Sequence, residues 1–219
     1  MKILAIDSST PIASVALLIG EQCISKQCVE IRQHAKVMLP MIECVLAEAE
    51  LSLHQLDVLA YSRGPGSFTG VRISASIIQG LAFGTELPVV GISSLKAIAW
   101  LGYEKHQKNN IIACIDARMN ELYWAKYSVN QGKVLSVNEE HVGPVDTISD
   151  SIAATGKDFI VVGSGLENYK NELLKTSSIT SCLEVSVQAE AVAKLAVSEQ
   201  PVEASEALPV YVRNNVVRR

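Results

Sequence analysis

The chain has 219 residues, 48% of them hydrophobic, and a formal net charge of −4. That length supports one large domain or two small ones, each with its own core. The acidic balance excludes a chain that holds nucleic acid by charge alone, and no apolar run approaches the ~18 residues that cross a bilayer. The five cysteines, at 23, 28, 44, 114 and 182, form no C-x-x-C pair. An odd count without framework spacing predicts reduced, buried thiols in a cytoplasmic protein. Met1-Lys2 leads straight into a strand-like run that stops at Asp7, which reads as a chain without a signal peptide.

Residues 2–7, 13–19 and 22–29 predict three strands, rich in Ile, Val, Leu and Ala and broken at Ser8-Ser9-Thr10-Pro11 and Gly20-Glu21. This is a β-meander rather than a βαβ opening. Met38, Ile42, Val45, Leu46 and Ala49 recur at helical spacing over 34–51. Pro40 falls in the first turns, where its missing N–H costs least. A strand is expected over 57–63, a helix rich in small residues over 71–84 and a short buried strand over 88–92. Ser93 and Ser94 then cap a helix to about residue 103.

The polar stretch 104–110 breaks the pattern and sets the expected boundary between domains 1–104 and 105–219. Strands follow at 111–117 and 122–129. Laying Asp116 on Asp7 aligns strand, turn and strand at an offset of about half the chain. Two related α/β domains are therefore predicted, each opening with an antiparallel hairpin. A helix near 145–154, a strand over 159–162 and helices near 166–174 and 188–198 complete the second half. The last helix and residues 208–212 are expected to pack back on the first domain. The tail 211–219 is locally basic, with arginines at 213, 218 and 219.

Two loops carry the chemistry. Residues 62–72 read Ser-Arg-Gly-Pro-Gly-Ser-Phe-Thr-Gly-Val-Arg, between a strand-like and a helix-like run. Such glycines let a chain turn sharply and let another surface approach its backbone, while Ser67 and Thr69 can cap the helix that follows. The opening strand ends in Asp7-Ser8-Ser9-Thr10, a carboxylate and three hydroxyls that can hold a hydrated Mg²⁺ and phosphate oxygens, or close a turn. Gly163-Ser164-Gly165 between strand and helix can seat a base or ribose, or serve as an ordinary turn. There is no Walker A loop and no G-x-G-x-x-G after a strand.

Together these features resemble the actin/hexokinase-like (ribonuclease H-like) superfamily: two related domains with mixed sheets flanked by helices. More closely, the chain resembles the bacterial TsaB (YeaZ) family over its whole length. Residues 1–10, 62–72 and the ending Pro209-Val210-Tyr211-Val212-Arg213 carry that resemblance. It implies a non-catalytic scaffold in the complex that forms N6-threonylcarbamoyladenosine at position 37 of tRNAs reading codons that begin with A. The implied partners are TsaD, the catalytic paralogue, and the ATPase TsaE, with tRNA reached through the complex and no membrane contact. The resemblance further implies no required cofactor and ATP or ADP in the assembled complex, with Asp7, Ser8, Ser9, Gly163 and Gly165 expected as a weak or vestigial nucleotide site.

The residues support the scaffold reading on their own. A His-x-x-x-His pair aims two imidazoles at one ion, as in the paralogue's metal site. His34, His54, His106 and His141 offer no such spacing. The contact surface is expected on the helices after His34 and after Gly70. Met38, Ile42 and Val45 are its candidates on the first; Gly70, Ile73, Ser74, Ile77, Gly80 and Leu81 are those on the second. The second helix is apolar almost all round, with Ile73, Ile77 and Gly80 on one stripe and Ala75, Ile78 and Ala82 on another. One face packs on its own sheet and the other needs a partner: TsaD, or a second copy when the chain is alone. The alternative is a stand-alone ATP-dependent phosphotransferase or ATPase of the same superfamily. It requires a phosphate-binding hairpin, and Ala117-Arg118-Met119-Asn120-Glu121 lacks the glycine that wrapping a phosphate favours.

Overall fold

In the computed structural model, which describes residues 1–29, 33–153 and 155–213, the first sheet grows outward from the N-terminal strand. β1 (Lys2–Asp7), β2 (Ala13–Ile19) and β3 (Gln22–Cys28) form an antiparallel meander. β1 and β2 are buried along nearly their whole length, so they read as continuous apolar runs. β3, at the edge, mixes polar and apolar residues. β4 (Val58–Gly64) and β5 (Val89–Ser93) then add in parallel, giving the order β3-β2-β1-β4-β5.

Parallel neighbours need crossovers, and two helices supply them. α1 (His34–Glu48) buries Met38, Ile42, Val45 and Leu46 against the sheet. Pro40 lies inside α1 and removes the donor that would meet the Lys36 carbonyl. α2 (Phe68–Thr85) buries Val71, Ala75, Ile78 and Ala82. It starts three residues before the expected Val71, because Ser67 is the cap: its hydroxyl accepts from the Gly70 N–H at 3.3 Å. Glu86, left-handed at φ 58°, ends it. Leu17 and Ile78 are fully buried in this core, and truncating either to Ala costs ~2–5 kcal/mol.

The chain continues through α3 (Ser94–His106) into a second sheet built to the same plan. β6 (Asn110–Asp116) and β7 (Leu122–Asn130) are an antiparallel hairpin, and β8 (Lys133–Ser136) extends it. β9 (His141–Gly143) also pairs with β7, and α4 (Val145–Ile152) follows. β10 (Phe159–Ser164) and β11 (Ile179–Glu184) add in parallel with β6, separated by the short α5 (Lys170–Leu173). The order β8-β7-β6-β10-β11 reproduces β3-β2-β1-β4-β5 strand for strand. Asp7 and Asp116 each end the central strand of their sheet, as the internal alignment predicts.

The chain divides into two compact units, Met1–Ala97 with Val187–Val210 and Ile98–Ser186 with the end of the chain from Tyr211. The division falls within α3, a few residues before the polar stretch expected as the boundary. α6 (Ala189–Ala196) lies on β1, β2 and β4 in the first unit. Its alanines allow that close packing, and the Ala189 N–H donates to Ser14 Oγ at 2.9 Å. Residues 208–210 are not a strand but lie beside β4, where the Val210 N–H donates to the Arg63 carbonyl at 2.7 Å. Most of the basic tail, 214–219, lies outside the described residues.

Candidate functional site

In the first unit the two sequence signals meet each other. The Ser67 N–H donates to the Ser9 carbonyl at 2.7 Å, and the Ser8 hydroxyl bonds the Gly70 carbonyl and Ser74 Oγ, each at 2.7 Å. A Cβ on Gly70 would lie 1.8 Å from the Ser8 carbonyl oxygen, and one on Gly66 2.4 Å from that of Ser9. Gly66 and Gly70 are therefore required by the close approach of the β1 tip.

That approach seals the tip. Asp7 and Ser8 have no exposed surface, and Ser9 and Thr10 almost none. Asp7 Oδ1 accepts from the Ser9 N–H at 3.0 Å, from Ser9 Oγ at 2.6 Å and from Ser62 Oγ. Asp7 Oδ2 is buried with no hydrogen-bond partner among the described residues. Burial pushes the carboxyl up from its usual range, against the Ser62 and Ser9 hydrogen bonds that pull it down. The Ser8 and Ser9 hydroxyls already have partners inside the chain, so this donor set does not fit a phosphate as it is arranged. His34 Nε2 lies 3.1 Å from the Pro11 carbonyl, a local contact rather than part of a ligand set.

The second unit treats its equivalent tip differently. Asp116 Oδ1 accepts from the Arg118 N–H at 2.8 Å and the Tyr169 hydroxyl at 3.1 Å, and its side chain keeps 22% exposure. Arg118, Met119 and Asn120 all have positive φ, at 63°, 59° and 60°. The turn is thus left-handed without glycine, at a cost of roughly 1–2 kcal/mol per residue. Arg213 holds its base, pairing with Glu121 at 2.5 Å. Gly163 and Gly165 are fixed by close packing: a Cβ would lie 2.0 Å from the Cys114 carbonyl oxygen in one case and 2.8 Å from Asp116 Cβ in the other. Glu184, the last residue of β11, takes the Gly165 N–H at 2.7 Å and the Leu166 N–H at 3.1 Å. A carboxylate of the chain itself thus occupies the amides that a nucleotide site would use. Nothing in the local sequence signals this, since the turn and Glu184 come together only through the pairing of β10 with β11.

The expected contact residues separate by burial. Met38, Ile42 and Val45 are core residues of the first unit, and Gly70 and Ser74 pack on the β1 tip. The helical period of α1 holds, and its most apolar stripe turns inward onto the sheet rather than outward to a partner. Ile73, Ile77 and Leu81 are half-buried, and Gly80 is exposed. The outer surface of these helices includes Leu39 and Cys44 on α1 and Phe68, Arg72, Ser76, Gly80, Phe83 and Gly84 on α2. Phe83 is 86% exposed, and the Arg72 guanidinium sits 3.5 Å over the Phe68 ring. A Cβ on Gly80 or Gly84 would meet nothing within 4 Å.

Among known proteins, a family model described as TsaD, tRNA N6-adenosine threonylcarbamoyltransferase, matches residues 28–216. The tRNA threonylcarbamoyladenosine biosynthesis protein TsaB of Haemophilus influenzae is 39% identical, over 99% of this chain and 95% of its own. The chain belongs to the TsaB (YeaZ) family. The solved structure of YeaZ from Pseudomonas aeruginosa superposes with a TM-score of 0.85 at 34% identity, covering 96% of this chain and 99% of that one. An inorganic polyphosphate/ATP-glucomannokinase from Arthrobacter aligns over 90% of this chain and 97% of its own, with a TM-score of 0.51 at 12% identity. That likeness shows the fold alone: this chain has an actin/hexokinase-like fold, with two mixed sheets flanked by helices. Among the described residues no helix is long and apolar enough to cross a membrane.

Proposed function

We propose that this chain is a non-catalytic scaffold subunit of the machinery that forms N6-threonylcarbamoyladenosine on tRNA, docking a TsaD-type catalytic subunit through the outer face of α2. The observation that carries the reading is the pair Gly80 and Gly84. A glycine inside a helix costs roughly 0.5–1 kcal/mol relative to alanine. Nothing among the described residues requires either one, since a Cβ on each would meet nothing within 4 Å. Beside them Phe83 is 86% exposed. Bare backbone next to an exposed aromatic suits a partner helix that approaches closely, because interaxial distance depends on the side chains at the contact.

The two strand tips support the non-catalytic half of the reading. Phosphoryl transfer works by positioning and electrostatic stabilisation of phosphate oxygens by free donors. Here the Ser8 and Ser9 hydroxyls are engaged inside the first unit, and the Gly165 and Leu166 amides are capped by Glu184 in the second. The lone chain is accordingly a weak nucleotide binder at most. ATP or ADP enters with the assembled complex, TsaE is a further partner, tRNA is reached through the complex, and the working compartment is the cytoplasm. The free chain uses the same α2 face to pair with a second copy.

The test is reconstitution with purified chain, TsaD and the remaining components of the pathway. Modified adenosine is expected only when chain and TsaD are both present. ATP turnover by the chain alone would favour the stand-alone phosphotransferase or ATPase instead, and modified adenosine formed without TsaD would overturn the non-catalytic role.

A further inference from the structure

The first unit contains a segment from the far end of the chain at the entrance to the glycine-rich loop. Beyond the 3-10 turn Ala204–Glu206, Ala207 is buried in the core. Three residues then run beside β4. The Tyr61 hydroxyl donates to the Leu208 carbonyl at 3.0 Å, and the Val210 N–H donates to the Arg63 carbonyl at 2.7 Å. Both neighbouring glycines make room for this arrangement. A Cβ on Gly91 would lie 3.1 Å from the Tyr61 hydroxyl oxygen, and one on Gly64 2.9 Å from the Val210 carbonyl oxygen, at φ +104°.

Gly64 ends β4 and begins the loop. A few residues on, the Ser67 N–H is held by the Ser9 carbonyl, and Ser67 Oγ caps α2 through the Gly70 N–H. The segment 208–210 thus grips the start of a loop whose other end is the N-terminus of α2. The attachment itself is light. Its hydrogen bonds are one at a main-chain carbonyl and one at a main-chain N–H; Leu208 is 59% exposed, and Pro209 and Val210 are half-buried. An element held by few bonds and little apolar burial opens at low free energy.

We infer that residues 208–210 form a releasable strap that sets the position of the loop over 64–70 and, through it, the partner face of α2. The link to partner binding rests on the proposed role of that face. The strap is a positioning element: it makes no contact with the partner and acts through Arg63, Gly64 and the loop.

The test uses the full chain with Val210→Pro, which deletes the N–H bonded to Arg63, and Tyr61→Phe, which deletes the hydroxyl bonded to Leu208. Hydrogen exchange is followed at the Ser67 and Gly70 amides, and association with TsaD is measured in parallel. In Val210→Pro these amides should exchange about 3- to 10-fold faster, the effect of one lost hydrogen bond, while β2 and α6 amides keep their rates. TsaD affinity should fall by a similar factor, and adding Tyr61→Phe should deepen both effects. Wild-type exchange at Ser67 and Gly70 in the doubly substituted chain would overturn the strap. Faster loop exchange with unchanged TsaD affinity would overturn the link from the strap to the partner face if Gly80→Leu still weakens TsaD binding, and would overturn the α2 docking face if Gly80→Leu also leaves it unchanged. If Tyr61→Phe accelerates every amide together, Val210→Pro alone decides, because its side chain lies outside the core.

Discussion

Replacing Gly80 by Leu separates the helix's own needs from those of a partner. Within the chain the change should be favourable. Leu exceeds Gly in helix propensity by roughly 0.7 kcal/mol, and the new Cβ meets nothing within 4 Å. For a chain of this size ~1 kcal/mol moves the melting midpoint by about 2–4 °C, so a rise of about 2 °C is expected. Association should move the opposite way. Extra methylenes forced into a close helix contact cost about 1–3 kcal/mol, a loss of about 5- to 150-fold in affinity. Scanning calorimetry of the lone chain and titration calorimetry with TsaD measure the two effects separately. A midpoint that falls by several degrees at a concentration where the chain is monomeric, so that no self-association is lost, would mean that Gly80 is packed within its own chain. Unchanged affinity for TsaD would mean that the α2 face is not the docking surface.

Asp7 predicts a pH dependence. Its folded pKa is raised, so the folded state holds the proton more tightly than the unfolded one, whose value is near 3.8. The resulting stabilisation is complete below that value and is lost as pH rises through the folded pKa. Urea midpoints of the wild type should therefore decline relative to Asp7→Asn on going from acid to neutral pH; parallel curves would contradict the burial of an ionisable carboxyl there. Gly70→Ala places a Cβ 1.8 Å from the Ser8 carbonyl oxygen and should destabilise by about 3 kcal/mol or more. A wild-type urea midpoint for that variant would show that the loop does not press on the β1 tip. Native-state alkylation read by mass spectrometry should modify the exposed Cys44 first. It should spare Cys114, whose thiol burial pushes well above its usual range, and Cys182, pushed to about 11.

Elements whose burial is local were legible in the sequence. β1 and β2 are buried apolar runs, and α1 shows its helical period, so both could be read from residue types alone. β8, β9 and β11 escaped because they are short and lean on neighbours. Only Val134 of β8 is buried, and β11 follows β10 through a short helix with no strong period of its own. The helix expected over 166–174 shrinks to Lys170–Leu173, since Glu184 takes the Leu166 N–H and a turn comes first. The glycine loop was recognised as a place of close approach, but residue types do not say what approaches. The approaching surface is Ser8 and Ser9 of the same unit, brought there by the parallel pairing of β1 with β4. The left-handed turn over 118–120 was unreadable because it forms without glycine, held by Asp116, Glu121 and Arg213.

The most direct test of the scaffold reading is equilibrium binding of the purified chain to purified TsaD from the same organism, followed by sedimentation or titration calorimetry. A stoichiometric complex, weakened by Gly80→Leu and unaffected by a substitution at the exposed Leu135 in the second unit, is the predicted result. No complex at micromolar concentrations, or one that Gly80→Leu leaves untouched, would contradict it.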